Sequence, residues 1–265
     1  MKAVSMYSPY GWRGKIGLIV PSTNTINEPE FWRMAPKGVT IHTARVLLKG
    51  KASEESYFQM ADALSDAAEA LATAEVDVVA YGCTSGSIIC PLPQMLDQMG
   101  SRTNTPASAA AGAVIAALHA FGVKRVAVAT PYVDFVNESE DRFLVEHGFE
   151  VTKLLGLNLG ETQEERRGIG RVPPEQVYRM ARAANTPDAE AIFISCTNLA
   201  TIDVIESIER DLGKPVVTSN QACFWACMRL MELNDSIEGF GRLLREKTAT
   251  IDMSQFTRKL EATAA

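Results

Sequence analysis

Residues 15–28 read KIGLIVPSTNTINE, and residues 125–138 read RVAVATPYVDFVNE. Laid over one another at a constant offset of 110, they match Pro21 to Pro131, Asn27 to Asn137 and Glu28 to Glu138. A second pair repeats further on. VDVVAYGCTS, residues 76–85, overlays AEAIFISCTN, residues 189–198, and sets Cys83 on Cys196. Self-similarity at nearly half the chain length implies two homologous lobes. The apolar runs IGLIV, RVAVAT and AIFIS do not alternate with polar residues, so both faces of each strand should be covered, as in a parallel sheet between helices. The expected fold class is α/β, with two pseudosymmetric lobes, each a parallel sheet flanked by helices, and a ligand cleft between them.

Strands are expected at residues 15–20, 39–46, 76–81, 104–106, 125–130, 149–157, 191–195 and 215–218, with helices between them. The N-terminal lobe then takes residues 15–123 together with C-terminal helices in 219–265, and the second lobe takes residues 124–218. The whole is 265 residues, 46% hydrophobic and 22% charged, with a formal net charge of −6. This composition suits a globular chain, and its charge and lack of basic runs speak against nucleic acid and anionic membranes as partners. The longest apolar stretch, ASAAAGAVIAAL at residues 107–118, is too short to span a bilayer. The N-terminus has no apolar segment of signal-peptide type, so a cytoplasmic location is expected. Five cysteines, an odd count, fit reduced thiols better than a disulfide framework.

In open parallel sheets, ligands bind beyond the carboxyl ends of the strands. Cys83, Cys196 and the loops at residues 21–24 and 131–134 all fall there, so a small planar molecule could lie between two thiols. Helices expected at residues 87–100 and 199–213 follow the two cysteines, and their dipoles should lower the thiol pKa below the usual value of about 8.5. Cys90, Cys223 and Cys227 have no repeat counterpart and read as core residues. The last two are four apart, but His42, His119 and His147 are scattered, so no metal site is expected. His119 and His147 fall near expected helix C-termini, where imidazole commonly caps. Residues 160–174, GETQEERRGIGRVPP, lack the GK[ST] ending of a phosphate loop and read as a surface connection. Its Arg166, Arg167 and Arg171 read as solvated, with closure over a carboxylate the less favoured alternative.

GLIVPSTNT, YGCTSGS, RVAVATPYVDFVNE, ISCTNLATIDVIESIE and KPVVTSNQACFW together resemble the aspartate/glutamate racemase superfamily, in the branch that holds maleate cis-trans isomerase and arylmalonate decarboxylase. The resemblance runs from residue 15 to about residue 245. It implies an enzyme without cofactors, with its active site in the cleft between the two lobes, that acts on a small carboxylic acid through one or two cysteines. By resemblance to the isomerase, Cys83 and Cys196 are catalytic, and Asn24, in a Ser-x-Asn-Thr pattern that begins at Ser22, binds a substrate carboxylate. Tyr132 follows the first strand of the second lobe. Thr84, Ser85, Thr197 and Asn198 complete the substrate-binding set. The decarboxylase carries glycine at the position of Cys83, although the second half of this chain reads more like the decarboxylase. The expected function is therefore maleate-like cis-trans isomerisation of a small dicarboxylic acid. The alternatives are racemisation or decarboxylation of an α-substituted acid, and a non-catalytic carboxylate sensor. A homo-oligomer is left open.

Overall fold

The computed structural model describes residues 8–248. The first half of the chain runs β1 (Gly14–Pro21), α1 (Asn27–Met34), β2 (Val39–Val46), α2 (Glu54–Asp62), α3 (Leu64–Ala72), β3 (Val78–Tyr81), α4 (Thr84–Ile89), α5 (Leu92–Thr103), β4 (Ala107–Ala109) and α6 (Ala110–Phe121). The second runs β5 (Arg125–Thr130), α7 (Asp134–Glu146), β6 (Glu150–Gly156), α8 (Gln163–Ile169), α9 (Pro174–Ala184), β7 (Ala191–Ile194), α10 (Ile205–Leu212) and β8 (Val216–Thr218), then α11 (Ser219–Leu230) and α12 (Arg242–Glu246). Two four-stranded sheets result, ordered β2-β1-β3-β4 and β6-β5-β7-β8. Every strand pair is parallel. The second sheet repeats the first strand for strand. As the unbroken apolar runs require, β3 and β7 are buried along their whole length.

α6 and α11 pack against each other, and each also touches strands of both sheets. α6 is almost wholly apolar and buried, which accounts for the alanine-rich run at residues 107–118. Cys223 and Cys227 lie on α11 and are buried with no exposed surface; Cys90 is buried at the end of α4. Among the described residues no helix is long and apolar enough to cross a membrane. His119 closes the last turn of α6, and His147 caps α7 with its ring nitrogen against the Phe143 carbonyl at 2.8 Å.

Three elements depart from expectation. The helix expected at residues 87–100 begins earlier and is two helices, α4 and α5, because Pro91 cannot continue α4 and holds Cys90 extended at φ −89°, ψ 155°. The helix expected at 199–213 starts only at Ile205. A carboxylate from the other lobe intervenes: Glu30 accepts the N–H of Thr201 at 2.6 Å and of Ile202 at 3.2 Å. The strand expected at 104–106 is the three-residue β4, displaced to Ala107–Ala109 because Asn104 is left-handed at φ 53° and ends α5.

Candidate active site

The two cysteine corners meet at one cavity, walled by both lobes. Cys83 caps α4, and its Sγ accepts the N–H of Gly86 at 3.3 Å. Gly86 has to be glycine: a Cβ there would stand 2.6 Å from the Tyr81 hydroxyl and 3.0 Å from the Cys83 sulfur. Cys196 faces the same cavity with a different backbone. Its φ is +98°, a conformation a non-glycine residue adopts at a cost of about 1–3 kcal/mol. Neighbouring bonds hold it there. Its N–H donates to Ser219 Oγ at 3.1 Å, and its Sγ accepts the N–H of Asn198 at 3.4 Å.

Of the residues named from the sequence, Asn24, Thr84, Ser85, Tyr132, Thr197 and Asn198 also line the cavity. Asn24 Oδ1 accepts the N–H groups of Ile26 and Asn27, both at 3.0 Å, and so fixes the entry to α1. Its Nδ2 donates to Thr197 Oγ1 at 3.0 Å, and one amide hydrogen stays available for a ligand. Thr197 in turn donates to the Gly82 carbonyl at 2.9 Å, so the second corner is latched onto the first. Thr84 Oγ1 donates to Ser219 Oγ at 2.8 Å. Thr84 and Ser85 open α4, where N–H groups have no intrahelical acceptor and can meet an anion. Asn198 spends its amide on protein, with Oδ1 on the Thr25 N–H and Nδ2 on the Arg166 carbonyl, both at 3.0 Å. Ser22 does not reach the cavity. Its N–H continues the β1–β2 ladder to the Val46 carbonyl, and its hydroxyl turns away to accept the Leu48 N–H at 3.2 Å.

Tyr132 is placed by the second copy of the repeated asparagine. Asn137 Nδ2 donates to the Tyr132 carbonyl at 3.0 Å, while Asn137 Oδ1 accepts from Thr130 Oγ1 at 2.5 Å. The phenol favours the Cys196 thiolate, and its buried site keeps it protonated well above the ordinary range.

The residues that line the cavity lie inside a segment with known relatives. The arylmalonate decarboxylase family model matches residues 16–244. The chain belongs to the arylmalonate decarboxylase family. Within it, the chain is 32% identical to an arylmalonate decarboxylase of Bordetella bronchiseptica, over 87% of this chain and 96% of that one. It is 28% identical to a maleate isomerase of Pseudomonas putida KT2440, with the same coverage of 87% and 96%. Among solved structures, a maleate isomerase of Pseudomonas putida S16 with maleate superposes at a TM-score of 0.82 and 25% identity, covering 90% of this chain and 99% of that one.

For this family member the expectation of low thiol pKa values is overturned. Burial pushes the Cys196 thiol up to about 12, against the lowering influence of Tyr132 and the Asn198 N–H. Burial also raises Cys83, opposed by the Gly86 N–H, Tyr81, Ser85 and the charge of Arg166. Desolvation outweighs the single helix end at Cys83, and no helix starts directly after Cys196. The resting thiols are neutral.

Four further residues shape the site, and sequence reasoning did not place them there. Tyr57 on α2 is buried and lines the cavity. Ser219, at the start of α11, ties Thr84 to Cys196. Neither belongs to the repeat, so the overlay of the halves gave no signal. Arg166, read as solvated, is 6% exposed and lines the cavity, whereas Arg167 and Arg171 are exposed. Behind the cavity, Glu140 on α7 is buried and accepts from Ser195 Oγ at 2.5 Å.

Burial raises Glu140 from the ordinary 4.5 to about 8. Between these values the unfolded chain carries a charge that the folded chain refuses, so stability falls as pH rises through this window and levels off above it. The loss should be on the order of a few kcal/mol. Urea midpoints for the wild type should drop between pH 5.5 and 8.5, and those of Glu140→Gln should fall less. Parallel curves would mean that Glu140 ionises normally in the fold.

Proposed function

We propose that this chain is a cofactor-independent cis-trans isomerase of a small, maleate-like dicarboxylic acid, working through Cys83 and Cys196. The observation that carries the proposal is the placement of one thiol from each lobe on a single cavity.

The thiol pair supplies both chemical steps. As substrate binds, Cys83 loses its proton to solvent, and the Gly86 N–H and the nearby Arg166 charge stabilise the thiolate. Its sulfur adds to C2 of the cis double bond, and the electron pair moves to C3 and into the attached carboxylate. Cys196, still a thiol, gives its proton to C3. The C2–C3 bond is now single and rotates. Cys196 takes the C3 proton back, the carbon–sulfur bond breaks, and the trans acid leaves with Cys83 again a thiolate. Protons and electrons balance with no outside reagent. Charge on the enediolate would be met by the first N–H groups of α4 and by the Tyr132 hydroxyl, while Asn24 offers its unspent amide hydrogen to a carboxylate.

A second reading, decarboxylation or racemisation of an α-substituted acid, is favoured by the 32% identity to the Bordetella enzyme. Proton NMR separates them. The isomerase reading expects maleate to become fumarate without any added cofactor. Unchanged maleate, together with carbon dioxide loss from an arylmalonate or α-proton exchange in a saturated acid, would replace it with the second reading.

A further inference from the structure

Residues 160–174 are dense in charge, yet one of their arginines points inward. Thr162 starts α8 with a capping box to Glu165, and the helical period then buries Arg166 and Ile169 on one face while Arg167 stays outside. Arg166 Nη2 donates to the Gly50 carbonyl. The remaining donors are unmet: Nε and Nη1 are both buried with no acceptor. No acidic side chain pairs with this guanidinium among the described residues. Tyr57 and Cys83, both on the cavity wall, are the groups that would hold its proton more tightly if they ionised.

A buried guanidinium without an anion is costly, because it has lost water and gained no counter-charge. The fold nevertheless holds it in place. Asn198 grips the Arg166 carbonyl with one end of its amide and the Thr25 N–H with the other, so the arginine is positioned against both the Asn24 loop and the Cys196 corner. An arginine is suited to planar anions such as carboxylate. Arg166, Cys83, Tyr132 and Cys196 line the one cavity, and the Arg166 charge favours the thiolate of Cys83, the proposed nucleophile.

We propose that Arg166 anchors the substrate carboxylate on the carbon that Cys83 attacks, the one that does not take up the developing charge, and so makes the site selective for dianions. This rests on the isomerase reading of the same cavity. A substrate with an uncharged group at that end would leave the guanidinium unpaired, and discrimination would follow from that loss.

The test compares maleate with maleamate, in which an amide replaces one carboxylate, and adds calorimetric titration with succinate, which has no double bond to react. Wild type should prefer maleate in kcat/KM by on the order of 10²-fold. In Arg166→Gln that preference should collapse, chiefly through a higher KM for maleate, and succinate binding should be lost. Arg166→Lys keeps the charge and should recover part of both; it also serves as the test variant should Arg166→Gln fail to fold. A preserved maleate preference, or succinate binding that is equal in wild type and Arg166→Gln or absent from wild type, would overturn the anchor. If wild type binds succinate through Arg166 but turns over no cis acid, the anchor stands and the isomerase reading falls.

Discussion

Cys83→Ser should lower the turnover of maleate by at least about 10³-fold while leaving the fold intact. Serine is nearly isosteric, but its hydroxyl is far less acidic and far less nucleophilic near neutral pH than a thiol. The structural part of Cys83 would survive the change. Its sulfur caps α4 by accepting the Gly86 N–H at 3.3 Å, and serine is among the preferred residues at such a cap. A melting temperature at or above that of the wild type, together with lost activity, would therefore assign the loss to chemistry. Cys196→Ser should retain more, because the partner moves a proton and makes no bond to carbon. Should the two variants change places, Cys196 is the nucleophile; should both remain fully active, the thiol mechanism is wrong.

Tyr132→Phe should lower kcat by about 10²-fold, with KM changed far less. The phenol stays protonated in its buried site and lines the cavity with Cys196, so it is a donor available where charge develops. Phenylalanine keeps the ring, and the loop is held through the Tyr132 backbone carbonyl by Asn137. The variant should therefore fold and bind substrate. Full activity would mean that the ring only packs.

The sequence made the two sheets legible because β1, β5, β3 and β7 are covered on both faces and could not alternate polar with apolar residues. The overlay of residues 76–85 on 189–198 brought both thiols to one site for the same reason: equivalent strands end at equivalent places. What stayed hidden depends on contacts between elements distant in the chain. Residues 199–204 have a helical pattern, but Glu30 captures the Thr201 and Ile202 N–H groups from the other lobe. Arg166 belongs to a run whose composition reads as solvated, and only the packing of α8 over the cavity turns it inward. The helix-end argument for reactive thiols failed because desolvation, which a sequence does not display, is the larger influence at both cysteines. Ser22 was misplaced for a local reason, since the ladder to β2 continues one residue past β1 and turns its hydroxyl toward Leu48.

The central claim is that Cys83 forms a covalent bond to substrate while Cys196 handles the proton. Intact-mass measurement of Cys196→Ser after incubation with maleate tests it most directly: solvent water can supply the C3 proton slowly after addition, but this variant lacks the thiolate that takes the proton back, so the adduct should accumulate. The account predicts a mass gain of one maleic acid, mapped by peptide sequencing to Cys83 as a succinyl thioether and absent from Cys83→Ser. An unmodified Cys83, under conditions where wild type converts maleate to fumarate, would contradict it.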